Sequence, residues 1–139
     1  MGMATEKNSL IRSVTVSKVV RRPAEAVYAF ASDPDNLPAW AAGLVDGAVA
    51  TDGDALILES PMGRIVVRFV PHNELGVLDH DVTTPSGATT NNPFRVISHP
   101  DGAELLFTIR QVDLTDEEFE RDVSTVGADL ERLKELLEA

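Results

Sequence analysis

Residues 115–139 read TDEEFERDVSTVGADLERLKELLEA. Thr115 followed by Glu118 is a capping box: the hydroxyl accepts from a backbone N–H three residues on, and the carboxylate reaches back to the cap N–H. Asp116 and Glu117 put negative charge where the helix dipole is positive. Phe119, Val123, Val126, Leu130, Leu133 and Leu137 then recur at spacings of four, three, four, three and four, which sets them along one side of a helix. The spacing predicts a helix over 116–138, roughly 34 Å long at 1.5 Å per residue. Its other side is mostly charged, so the apolar stripe has to lie down on a second layer.

That layer is legible upstream. Between Leu44 and Gln111 turn chemistry recurs at TDGD (51–54), PMG (61–63), PHNELG (71–76), TPSG (84–87) and HPDG (99–102). The runs between these breaks have strand length: 44–50, 55–60, 64–70, 76–83, 88–97 and 103–111. Connections this short make successive strands antiparallel neighbours. Ile65, Val67 and Phe69 alternate with Arg64 and Arg68. Leu105, Phe107 and Ile109 alternate with Glu104, Thr108 and Arg110. Alternation of this kind means one wet face and one covered face.

Ahead of these runs, IRSVTVSKVV (11–20) is a β-branched strand with Val14 and Val16 on one face. RRPAEAVYAFASDPDNLPAW (21–40) changes period. Pro23 suits a helix start, and Val27, Phe30 and Ala31 form an apolar stripe. Asp33-Pro34 ends that helix, and a short second helix carries Leu37 and Trp40. The expected architecture is α+β, a helix-grip: a seven-stranded curved antiparallel sheet wrapped around the long C-terminal helix, with two short helices after the first strand. Without repeats or linkers, residues 10–139 read as one domain. Residues 1–9 read as a flexible N-terminal tail.

Composition narrows the partners. With 12 basic against 23 acidic side chains the formal charge is −11, which repels phosphate backbones and anionic membranes, so neither nucleic acid nor membrane is an expected partner. No apolar run nears the ~18 residues of a membrane span. There is no cysteine, hence no disulfide or thiolate zinc site, consistent with a cytoplasmic protein. His72, His80 and His99 form no ligand-spaced pair, so no metal is expected. No phosphate-cradling glycine loop, dinucleotide fingerprint or nucleophile elbow is present, and no cofactor is expected.

The element order, DPDNLPAWA (33–41), LDHDVTTPSG (78–87), NNPFRVIS (91–98) and LTDEEFERDV (114–123) together resemble the START-like helix-grip superfamily. The likeness is to the small bacterial SRPBCC branch, polyketide cyclase/dehydrase-like, and covers about 11–138. The resemblance implies a cavity between sheet and long helix. It implies no particular catalytic set, because the fold hosts carriers, cyclases, hydrolases and chaperone-activating modules alike.

VLDHDVT (77–83) carries the most telling polar group. Alternation sets Leu78, His80 and Val82 on one face and Asp79 and Asp81 on the other. An inward imidazole is driven neutral by desolvation and needs a donor and an acceptor partner. It either meets a ligand or bonds a neighbouring backbone group or hydroxyl; in the reverse register it lies on the wet side, flanked by Asp79 and Asp81. Asp79 and Asp81, about 7 Å apart, read as a solvated face with Arg68 or Arg110 across the sheet. Trp40, at the end of the short helix, is placed to gate the cavity mouth or simply to fill core. Phe69, Phe94 and Phe107 are inward wall residues. Asn92 shares the Phe94 face, though the neighbouring Pro93 suggests an irregular strand. Tyr28 lies off the helical stripe and is the weakest of the ligand-binding candidates.

The leading expectation is binding or carriage of a small apolar or amphipathic molecule, because apolar walls are evident and a catalytic constellation is not. The alternatives are a cyclase/dehydrase- or hydrolase-type enzyme with His80 as acid–base, and a protein-interaction module without a ligand.

Overall fold

The computed structural model describes residues 10–41, 49–61 and 63–139. The expected tail (1–9) and residues 44–48 of the second expected strand lie outside the described residues. The chain runs β1 (Ser13–Val20), α1 (Ala24–Ala31), a 3-10 turn (Pro34–Asn36), α2 (Leu37–Trp40), then β2 (Val49–Asp52), β3 (Ala55–Ser60) and β4 (Gly63–Phe69). It continues with β5 (His80–Thr83), β6 (Thr89–Asn92), β7 (Phe94–His99), β8 (Gly102–Arg110) and α3 (Asp116–Glu138). The α+β class, the antiparallel pairing and the long terminal helix all match the sequence reading.

The expected single seven-stranded sheet does not form. Among the described residues there are eight strands in two sheets, ordered β1-β8-β7 and β2-β3-β4-β5-β6. The cause lies at Pro93. Proline has no N–H to give to a ladder, and the run expected over 88–97 divides there into β6 and β7. The run expected over 76–83 shortens in step: only His80–Thr83 is ladder, and Val77 forms an isolated bridge with Arg95.

Asp79 mends the break. Its carboxylate accepts from the Phe94 backbone N–H at 2.9 Å and from the Arg95 guanidinium at 2.9 and 2.7 Å. Its own carbonyl accepts from Val70 N–H at 2.9 Å. Arg95 is thus the partner of Asp79, while Arg68, as expected, lies across the sheet from Asp81; the bonding to Arg95 and the Phe94 N–H holds the Asp79 carboxyl below the usual carboxylate range against the opposing effect of burial. On either side, Leu78 N–H donates to Phe94 O and Val96 N–H to Gly76 O, both at 2.8 Å. Gly76 sits at φ +74, where a Cβ would collide with the Val96 carbonyl.

The helices differ in detail from expectation. Pro23 is the N-cap of α1 rather than its first residue, and the second short helix is a 3-10 turn running into a single α-turn. The capping box of α3 is formed in both directions, Glu118 N–H to the Thr115 hydroxyl at 3.1 Å and Thr115 N–H to the Glu118 carboxylate at 2.9 Å.

Helix α3 runs beside β1 in the same direction. At its start the Arg12 guanidinium lies 4.8 Å over the Phe119 ring. At its end Lys134 donates to Val19 O and Arg22 to Leu137 O, each at 2.9 Å. Leu130 and Leu133 are fully buried in one core with Val20 and Leu105. The helix is therefore bedded on the three-stranded sheet, and its flank turns toward the five-stranded one.

Truncating Asp79 strands the Phe94 N–H and Arg95 together. Asp79→Ala is expected to lose about 1–3 kcal/mol in urea unfolding at neutral pH; a loss below about 0.5 kcal/mol would show that the two ladders hold without this carboxylate.

Candidate functional site: a cavity beside the long helix

Between the flank of α3 and the five-stranded sheet lies a cavity of about 300 Å³. The sheet side is built by alternation, with Phe69 from β4, His80 and Val82 from β5, and Thr90 and Asn92 from β6. Strand β8 contributes Phe107 and Ile109, and the segment after it Val112 and Leu114. The helix side is Asp122, Thr125, Val126, Asp129 and Leu130; Leu37, Trp40 and Ala41 close one end.

His80 faces inward as its alternation predicts, 5% exposed, with Leu78 and Val82 on the same buried face. It bonds a neighbouring backbone group and also lines the cavity. Nδ1 is 2.9 Å from the Leu78 carbonyl, which only accepts, so Nδ1 carries the proton. Burial lowers the imidazole pKa, outweighing that bond and the charges of Asp79 and Asp81. The ring is thus neutral near pH 7, with a lone pair on Nε2, the nitrogen farther from the backbone. Aromatic rings frame it: Phe69 at 4.7 Å, Phe107 at 5.6 Å and Phe94 at 6.5 Å between centroids.

Trp40 is 5% exposed and lines the cavity. Its indole N–H is buried without a hydrogen-bond partner among the described residues, an arrangement that costs free energy. Asn92 lies across from His80 in the β5–β6 register and also lines the space.

Two expected ligand contacts do not reach it. Phe94 is inward, but it is covered by Trp40 at 6.1 Å and Phe107 at 5.1 Å and belongs to the solid core, not to the lining. Tyr28 is buried, contrary to its place off the α1 stripe. Its hydroxyl accepts from Asn73 N–H at 3.0 Å and its ring stands edge-on to His72 at 4.9 Å, so it braces the loop after β4 instead.

The helix contributes carboxylates that the apolar stripe concealed. Asp129 is 8% exposed and accepts from Arg132 at 2.7 Å; the same guanidinium reaches the Trp40 carbonyl at 3.4 Å, tying α2 to α3. Asp122 touches solvent, yet partial burial raises its pKa, with Arg121 opposing and Glu118 reinforcing. Asp122, Thr125 and Asp129 recur at three and four, a second stripe beside Val126 and Leu130 that the sequence displays once the helix flank is known to be a wall.

In the unfolded chain His80 titrates near 6.5. Between that value and the lower folded one, only the unfolded chain takes up the proton. Stability therefore rises with pH across this window and is lost as pH falls through 6.5. NMR titration should give His80 a pKa below 6.5, and His80→Leu should flatten the stability slope in that window. An ordinary or raised value would contradict the burial.

Comparison with known proteins agrees with the architecture. The family model described as polyketide cyclase / dehydrase and lipid transport matches residues 12–138. Solved structures superpose over most of the chain at low identity. The Aha1 dimer from Colwellia psychrerythraea gives a TM-score of 0.74 at 14% identity, covering 91% of this chain and 96% of that one. An uncharacterised protein from Bacillus thuringiensis gives 0.73 at 15%, covering 91% and 98%. DynU16, a protein of the dynemicin biosynthetic locus, gives 0.73 at 15%, covering 91% of this chain and 47% of that one. Among curated proteins no sequence matches. At such identities the superpositions establish the fold, and the family match extends along nearly the whole sequence: this chain belongs to the polyketide cyclase / dehydrase and lipid transport family and has its helix-grip fold.

Proposed function

We propose that this protein binds and carries a small, largely apolar molecule in the cavity between α3 and the five-stranded sheet. The observation that carries the reading is the wall itself. Phe69, Val82, Phe107, Ile109, Val126 and Leu130 surround a space of about 300 Å³ with His80 set among them. Such a cavity is at the small end of ligand pockets. The ligand is therefore compact, of one or two rings or a short chain. His80 and Asn92 are the side chains proposed to orient its polar end, and Trp40, Phe69 and Phe107 to pack on its body.

A second reading is favoured by one observation. The His80 ring is neutral, oriented by the Leu78 carbonyl, and offers Nε2 as a base at the cavity wall. That is the state a general base needs near neutral pH, and the family includes cyclases and dehydrases. A base alone makes no enzyme, so carriage ranks first.

Native mass spectrometry of the purified protein tests the leading reading by detecting a retained small molecule. Val126→Phe, which fills the space from the helix side, should leave the fold intact and weaken binding of an apolar probe by about tenfold or more. Unchanged affinity in that variant would move the binding site elsewhere.

A further inference from the structure

Most polar groups on the cavity wall can serve a ligand in either sense or are already engaged. The Asn92 amide and the Thr90 and Thr125 hydroxyls turn to present a donor or an acceptor, and the Thr84 hydroxyl is taken up by Ser86 and the Ala88 carbonyl. Asp129 is held by Arg132 at 2.7 Å, and Asp122 keeps contact with water. The Trp40 N–H is sealed and takes no part. His80 is different. Its Nδ1–H is fixed on the Leu78 carbonyl at 2.9 Å, so Nε2 of the neutral ring can only accept. No described residue bonds Nε2. Unlike the Trp40 N–H it is not fully covered, and it opens on the cavity that the ring lines.

The surroundings of this nitrogen leave the donor to the ligand. Phe69 stands opposite His80 in the register of β4 and β5, with ring centroids 4.7 Å apart, and Phe107 lies at 5.6 Å; neither ring has an O–H or N–H to give. Asn92 stands opposite His80 on the other side, in β6, where directly paired residues set their Cβ atoms about 5 Å apart. A ligand head that reaches Nε2 therefore also reaches the Asn92 amide. Water can donate to Nε2 while no ligand is bound. A ligand that displaces the water without bringing a donor leaves a buried acceptor unpaired. We propose that His80 and Asn92 form a polar subsite that requires a hydrogen-bond donor on the ligand's head, an O–H or N–H directed at Nε2. The subsite thereby disfavours compact apolar molecules whose only polar group is a carbonyl, an ether or a carboxylate. This requirement rests on the ligand-binding reading above and adds to it the chemical class of the ligand.

Borneol, camphor and bornylamine share a compact bicyclic body and differ in the head: a hydroxyl, a ketone that only accepts and, at neutral pH, an ammonium that only donates. NMR titration at neutral pH reads their affinities from the methyl resonances of Val82 and Ile109, which line the cavity. At least one of the two donor-bearing probes should bind the wild-type protein about fivefold or more tighter than camphor. Whichever of the two binds tighter identifies the preferred head as hydroxyl or ammonium. His80→Gln, whose amide can turn to meet either kind of head, should erase that preference; a preference that survives the change overturns the assignment to Nε2. Camphor binding within about fivefold of both donor-bearing probes overturns the donor requirement and leaves the cavity reading standing. No binding by any of the three overturns both. The wild-type comparison needs no variant to fold.

Discussion

A single missing N–H organises this molecule. Pro93 cannot donate to a ladder, and its position in the middle of a long β run obliges the sheet to part there. The Asp79 carboxylate takes up the next N–H along, that of Phe94, and fixes it with a two-pronged contact to Arg95. One side chain thereby substitutes for the ladder at the seam. His80 follows immediately, the first residue of β5 on the far side of the break. The residue that bears the most chemistry is thus positioned by the same defect that divides the sheet.

The division also explains where space is left. A helix as long as α3 offers one apolar stripe, and most of it is used on the three-stranded sheet, where Leu130, Leu133, Val20 and Leu105 are sealed from water. The five-stranded sheet then faces the helix flank, on which Asp122, Thr125 and Asp129 interrupt the hydrocarbon. Asp129 cannot close on Phe69, Val82 and Phe107 without losing Arg132, and the other polar side chains would be desolvated against the same rings. The cavity persists because filling it would bury acids against aromatic rings. Partial burial already raises the Asp122 pKa, an imprint of that conflict.

How much of this was legible in the chain depends on what each signal measures. Capping chemistry and the four-three spacing are local, and α3 lies where they place it, Thr115 and Glu118 bonding each other as their spacing requires. Alternation is also local, so the inward face of Leu78, His80 and Val82 was readable. Alternation says only that a side chain points inward, not what it meets. Phe94 and Phe107 share a direction, yet only Phe107 reaches the cavity, because Trp40 comes from a distant element to cover Phe94. The split at Pro93 was signalled by the proline, but its extent depends on Asp79, fourteen positions upstream, finding Phe94 N–H. Tyr28 is buried by a loop that no helical stripe foretells. The acids of the cavity wall were hidden for the opposite reason: on a helix with a charged face, Asp122 and Asp129 look like solvent-facing residues until the flank has a neighbour.

The account stands on an accessible hollow between α3 and the five-stranded sheet, and methyl-resolved NMR examines it directly. Titration of the labelled protein with decalin should move the methyl resonances of Val82, Ile109, Val126 and Leu130, which line the hollow. Those of Leu75 and Ile97, exposed on the outer surface, should stay in place. Displacement of the outer set with the inner set unmoved would contradict the account.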